Sequence, residues 1–157
     1  VGVSGDSAGA TLSAIICQQT AAAERPALQA LIYPASDARM DTPSIHELED
    51  AYIIPLDRML WYRETYLAGF EDLEDLRLSP LLAPDLNAQP KAYVVTAGFD
   101  PLRDEGEAYA EALKAAGNDI THREFPGQIH AFVSLTKVIP QGNACIREVA
   151  DWLRGTW

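Results

Sequence analysis

The 157-residue chain is 48% hydrophobic and 22% charged, a balance that fits one globular domain with a sizeable core and lies outside the disordered class. Twelve basic against twenty-three acidic residues give a net charge of −11, which repels nucleic-acid phosphate and anionic lipid and makes an uncharged small molecule the easier partner. No apolar run approaches the ~20 residues of a membrane span and no signal-peptide pattern is read, so a soluble chain is expected, with a cytoplasmic location favoured. Cys17 and Cys145 sit in no CxxC or Cys/His cluster; buried free thiols are expected, and neither a disulfide framework nor a metal site is.

In chain order, Val1 to Ser4 reads as the end of a strand, and from Ala8 the positions Leu12, Ile15, Ile16 and Gln19 trace one helical face until Arg25-Pro26. "ALQALIY", closed by Pro34, suits a strand buried on both faces of a parallel sheet. Residues 35–54 are polar and mixed; Pro55 then stands where a helix would start, and "LDRMLWYRETYL" continues as an amphipathic helix. Its aromatics Trp61, Tyr62 and Tyr66, like Phe132, are candidates for pocket or core, with core packing expected.

"RLSPLLAPDLNAQP" holds three prolines and reads as loop. "KAYVVTAGFD" is a β-branched strand that ends on a glycine and an aspartate. Gly106, Tyr109, Ala110 and Leu113 recur at helical spacing, with Gly117 placed just past the helix end. "DITHREF" reads as an outer strand closed by Pro126-Gly127, and Cys145, Val149, Trp152 and Leu153 define a last helix. Strand and helix alternate, so the expected fold is α/β, with a mainly parallel sheet and helices on both faces. No repeat or interdomain linker divides residues 1–157.

The chemistry starts at Gly5-Asp6-Ser7-Ala8-Gly9, between a strand and a helix. A serine hydroxyl attacks a carbonyl only when it stands clear of its backbone and a base takes its proton. A Gly-x-Ser-x-Gly turn does the first job, and a Cβ at either glycine is expected to collide across it. The same turn puts the Ala8 N–H at a helix N-terminus, where an oxyanion would be stabilised. Ser4 lacks this setting and belongs to the strand.

Only His46, His122 and His130 could serve as base. His46 lies in the polar insertion, and His122 sits mid-strand, where a surface position is expected. His130 follows the last strand in "PGQIHAF", at the end where sites of parallel sheets collect. The orienting acid should also end a strand, and Asp100 does. Asp-Pro is a common helix start as well, but Asp104 and Glu105 are placed to supply the cap and the first-turn charge. The order Ser7, Asp100, His130 is that of α/β-hydrolases.

With those residues in hand, the chain resembles the bacterial hormone-sensitive-lipase family (family IV) of carboxylesterases over essentially its whole length. The blocks are "GDSAGA", "LIYPA", "SPLLAPDL", "TAGFDPLRDEG" and "PGQIHAF". Two departures are small: the family usually has glycine where Ala10 and Ala131 stand. The resemblance implies an α/β-hydrolase fold in which Ser7 is nucleophile, Asp100 acid, His130 general base and the Ala8 N–H an oxyanion donor. It further implies a serine carboxylesterase acting on short to medium acyl-chain esters through an acyl-enzyme, with a small-molecule ester as partner and no cofactor.

A serine peptidase or amidase of the same fold is the alternative, and a non-catalytic binding protein is the third; plant gibberellin receptors resemble this family but lack the working histidine. The family's His-Gly-Gly oxyanion loop lies well upstream of the serine and has no counterpart here. Residues 1–157 are therefore expected to be the C-terminal portion of a larger catalytic domain, nearly inactive alone and needing the N-terminal portion from the same or a separate chain. Assembly into a homo-oligomer stays open.

Overall fold

The computed structural model describes residues 1–156. Four strands, β1 (Gly2–Asp6), β2 (Leu28–Ile32), β3 (Lys91–Phe99) and β4 (Ile120–Ile129), form one sheet in the order β1-β2-β3-β4, every pair parallel. Helices α1 (Ala8–Gln19), α4 (Arg103–Ala115) and α5 (Pro140–Thr156) follow β1, β3 and β4, while α2 (Pro43–Glu47) and α3 (Leu56–Leu67) lie between β2 and β3. This is the expected α/β layering. The polar and mixed residues 35–54 contain the short α2, and the proline-rich stretch expected as loop folds one 3₁₀ turn at Pro80–Leu82.

The two faces of the sheet carry separate cores. On one, Leu31, Ala92 and Val94 meet Ala10 and Ala14 of α1 and Tyr109, Ala110 and Leu113 of α4. On the other, Tyr33, Val95, Ala97 and Phe125 pack under Phe132 and, from α5, Cys145 and Val149. The leucine, valine and phenylalanine side chains among these contribute ~1.5–3 kcal/mol each when fully buried. Both cysteines are free and buried, as expected.

The buried face of α1 differs from the one its large side chains suggest. Ala10, Ser13, Ala14 and Cys17 face the sheet, whereas Leu12 is 50% and Ile16 47% exposed. The elbow brings α1 so close to β1 that only small residues fit between helix and sheet. Gly117, at φ +84°, ends α4 as expected, its N–H donating to the Lys114 carbonyl at 2.9 Å.

β4 also departs from the expected pattern, because Pro126-Gly127 does not close it. The strand runs on to Ile129 through a bulge: Ala97 pairs with Phe125 and Phe99 with Ile129, so β4 spends four residues where β3 spends two. A proline is tolerated there because β4 is an edge strand and the bulge asks for no ladder donor. Gly98 makes the bulge possible, since a Cβ on it would lie 2.2 Å from the Pro126 carbonyl oxygen.

Candidate active site

Ser7 caps α1 at φ 51° and ψ −124°, a left-handed conformation that costs a non-glycine residue on the order of 1–3 kcal/mol. The surroundings hold it there. Its N–H donates to Ile32 O at 2.8 Å, and its carbonyl accepts from Ala10 N at 2.9 Å and Thr11 N at 3.1 Å. Thr11 Oγ1 donates in turn to Ala35 O at 2.6 Å, tying α1 to the segment after β2.

The two glycines of the elbow are not equivalent. A Cβ on Gly5 would lie 2.3 Å from the carbonyl carbon and oxygen of Gly9, whereas a Cβ on Gly9 would meet nothing within 4 Å among the described residues. The expected collision therefore holds at Gly5 alone. β1 must let the first turn of α1 lie against it, while Gly9 turns its α-hydrogen outward.

The structure brings Ser7, His130 and Asp100 into one hydrogen-bonded row. His130 Nε2 is 2.9 Å from Ser7 Oγ, and His130 Nδ1 is 2.7 Å from Asp100 Oδ2. A carboxylate only accepts, so the Nδ1–H donates to it and leaves Nε2 to accept the serine proton. His130 and Asp100 are buried. Ala131, directly after the histidine, takes φ 63°, the backbone region in which glycine is unstrained. The Ala8 N–H opens α1, has no intrahelical acceptor and donates to no other group among the described residues.

The other two histidines lie elsewhere. His46 is exposed beside Asp41 Oδ1 at 3.2 Å. His122 is half-buried, not a surface residue, because its Nε2 bonds the buried Thr96 Oγ1 across the strand pair at 2.9 Å.

Helix α4 is held differently from the expectation. Asp100 makes its own turn, with Oδ1 accepting from Leu102 N at 2.9 Å, and so serves the helix start and His130 with separate oxygens. Asp104 Oδ2 accepts from Ser44 N on α2 at 2.7 Å. Glu105 is no first-turn surface charge: it is fully buried, and its Oε1 accepts from Ser36 N at 2.7 Å and Asp37 N at 3.3 Å. Burial pushes its carboxyl up to about 8; those two amides oppose the rise, and the charges of Asp37 and Asp100 add to it.

A cavity of about 210 Å³ opens beside Ala8, lined by Leu12 and Ile15 of α1, Met40, and Tyr62 and Tyr66 of α3. Here the expectation of core packing fails for the α3 aromatics. Trp61, Tyr62 and Tyr66 are 59%, 53% and 68% exposed, because α3 lies over a cleft and not over the sheet; Phe132 is in the core as expected. Tyr33, Gly98 and Glu105 were missed as site-building residues, although an isolated glycine inside a strand pattern is itself a bulge signal. No group of metal-ligating side chains occurs among the described residues.

Comparisons with known proteins place the chain by family and fold. A family described as alpha/beta hydrolase fold matches residues 1–134. The chain is 38% identical to carboxylic ester hydrolase LipN of Mycobacterium tuberculosis, over 98% of this chain and 43% of that protein. It is 32% identical to an ethyl acetate hydrolase of Pseudomonas putida, over 97% and 49%. Among solved structures, a hyperthermophilic esterase of the archaeon Pyrobaculum calidifontis superposes with a TM-score of 0.92 at 33% identity, covering 99% of this chain and 52% of that one. An ester hydrolase from the Lake Arreo metagenome, in complex with a bipyridine phosphonate derivative, gives 0.90 at 46%, covering 95% and 48%. The chain thus spans about half the length of the curated relatives it matches. By sequence and by fold it belongs to the alpha/beta hydrolase family, in its hormone-sensitive-lipase branch.

Proposed function

We propose that this chain supplies the nucleophile, base and acid of a serine carboxylesterase. The observation that carries the reading is the row from Ser7 Oγ through His130 to Asp100 Oδ2, at 2.9 and 2.7 Å. His130 Nε2 takes the Ser7 proton as Oγ attacks the ester carbonyl, and Asp100 steadies the imidazolium through Nδ1–H. The Ala8 N–H, at the positive end of α1, faces the oxyanion that forms. His130 then returns the proton to the leaving alcohol and activates the water that releases the acid. No metal or organic cofactor enters these steps.

The cavity beside Ala8 supports short to medium acyl chains. A dry cavity of ~150 Å³ holds benzene, and in proportion one of about 210 Å³ holds an apolar group of roughly eight carbons. Because the chain covers about half of its relatives, we assign the activity to the intact natural protein and infer that residues 1–157 are the C-terminal portion of its catalytic domain. With one oxyanion amide identified, the 157-residue chain alone is expected to turn over little.

The test combines labelling and turnover of the intact natural protein. A fluorophosphonate should label Ser7, a His130→Ala variant should lose the label, and p-nitrophenyl ester rates should peak near the octanoate or shorter and fall by the palmitate. A label retained without His130 would overturn the assigned base. Faster cleavage of p-nitroanilides than of matched esters would favour a peptidase or amidase.

A further inference from the structure

In the strand order β1-β2-β3-β4, Ser7 follows β1, Asp100 follows β3 and His130 follows β4. Neighbouring strands stand ~4.8 Å apart, so the row from His130 to Ser7 crosses about three spacings and must pass over the end of β2. Tyr33 stands at that end. Its backbone lies against both flanks: the preceding carbonyl, Ile32 O, accepts the Ser7 N–H at 2.8 Å, and the Tyr33 N–H donates to Val95 O at 2.7 Å.

Tyr33 has φ +40°, strained for a residue with a Cβ. It is fully buried, with its ring centroid 4.6 Å from that of His130 at an interplanar angle of 56°. The Phe132 ring backs it at 6.0 Å. At the far end of the ring the hydroxyl donates to Asp6 Oδ2 at 3.3 Å, on the residue immediately before the nucleophile. Burial, with the Asp6 charge adding to it, pushes the phenol well above its usual range, so the hydroxyl stays a donor.

We propose that Tyr33 is a positioning residue for the reaction: its ring is the platform that holds the His130 imidazole in line between Asp100 and Ser7, and its hydroxyl fastens that platform to Asp6. Two physical effects act through the ring. It fills the space into which the imidazole would otherwise rotate, and an alternative rotamer of His130 breaks both bonds of the row at once. The imidazolium formed when His130 takes the Ser7 proton also lies within the ~6 Å range over which an aromatic ring attracts a cation. Among the described residues Tyr33 does not line the cavity beside Ala8 and makes no hydrogen bond to Ser7 Oγ, so its effect is expected on the reaction step and not on ester binding.

The kinetic arm of the test rests on the esterase reading; the spectroscopic arm does not. In the intact natural protein, Tyr33→Phe keeps the ring and is expected to hold kcat within about threefold, whereas Tyr33→Leu is expected to lose roughly tenfold to a hundredfold in kcat with KM little changed, the scale of a misplaced catalytic group. Tyr33→Met, which fills volume flexibly, stands in should the leucine variant not fold. Independently of turnover, the His130 ring-proton resonances should sit at ring-current-shifted positions in the wild type and Tyr33→Phe and move towards unshifted values in the leucine or methionine variant. A wild-type kcat in a folded variant lacking the ring, a loss in Tyr33→Phe equal to that in Tyr33→Leu, or unmoved His130 resonances would each overturn the proposal. An intact wild type without esterase activity would instead sink the function above, leaving the resonance shifts to decide this one.

Discussion

Gly5→Ala puts the elbow under the most direct strain the structure allows. The added methyl would lie 2.3 Å from Gly9 C and O and 2.7 Å from Ala10 N, all backbone atoms that no rotamer change can move. Restoring ordinary contact near 3.4 Å requires β1 and the first turn of α1 to part by about 1.1 Å. Overpacking of this kind costs typically ~1–3 kcal/mol of stability. The displacement falls on Ser7, which is bonded to both elements, and a ~1 Å misplacement of a reacting group costs roughly a hundredfold in rate. Gly9→Ala is the matched control: its methyl meets nothing within 4 Å among the described residues, and alanine is favoured over glycine inside a helix by roughly 0.5–1 kcal/mol. Urea unfolding and the rate of fluorophosphonate labelling at Ser7 measure both consequences. Gly5→Ala is expected to lose stability and label about a hundredfold more slowly, with Gly9→Ala as stable as the wild type or more so. Equal losses in the two variants, or an unperturbed Gly5→Ala, would refute the packing argument.

Asp100→Asn keeps the shape of the acid but presents an amide to His130 Nδ1, favouring the tautomer whose Nε2–H can no longer accept from Ser7; kcat for a p-nitrophenyl ester is expected to fall by about 10³–10⁴. Gly98→Ala would drive a methyl to 2.2 Å from Pro126 O and disturb the bulge that sets Asp100 beside His130, so both thermal stability and labelling of Ser7 should drop. Glu105 gives a pH dependence with a defined sign. Its carboxyl lies at about 8 in the folded chain against an ordinary 4.5, so its contribution to stability is complete below pH 4.5, declines as pH rises and is lost by about pH 8, on the order of a few kcal/mol in all. Chemical denaturation across that range should show the decline, and Glu105→Gln should flatten it.

What could be read in the sequence is what local chemistry dictates. The glycine at position 5, the aspartate closing a β-branched strand and the histidine after the last strand each sit where the local chemistry of a turn or a strand end calls for that residue type. Their hydrogen-bonded meeting follows from parallel strands that all end on one rim. What escaped is what depends on how closely two backbones approach. Large apolar side chains on α1 suggested a buried Leu12-Ile16 face, but helix and sheet come too near for anything larger than the small residues Ala10, Ser13, Ala14 and Cys17. The α3 aromatics followed an amphipathic period without a sheet beneath them to bury it. Glu105 looked like a surface first-turn acid because sequence cannot reveal that two amides after β2 point at it.

The bulge in β4 connects these points. Pro126-Gly127 reads as a stop, yet the strand absorbs it as two extra residues and ends at Ile129, paired with Phe99. Asp100 and His130 are the next residues on their strands, so they leave the sheet side by side. Had the strand stopped at Phe125, paired with Ala97, His130 would lie at the end of a five-residue loop, with several kcal/mol of backbone entropy to be overcome before it could face Asp100. Gly98, with no side chain to obstruct the Pro126 carbonyl, replaces that loop with paired strand. The acid and base are thus aligned by the sheet itself, and the remaining distance to Ser7 is bridged over the end of β2, where Tyr33 lies beneath the imidazole.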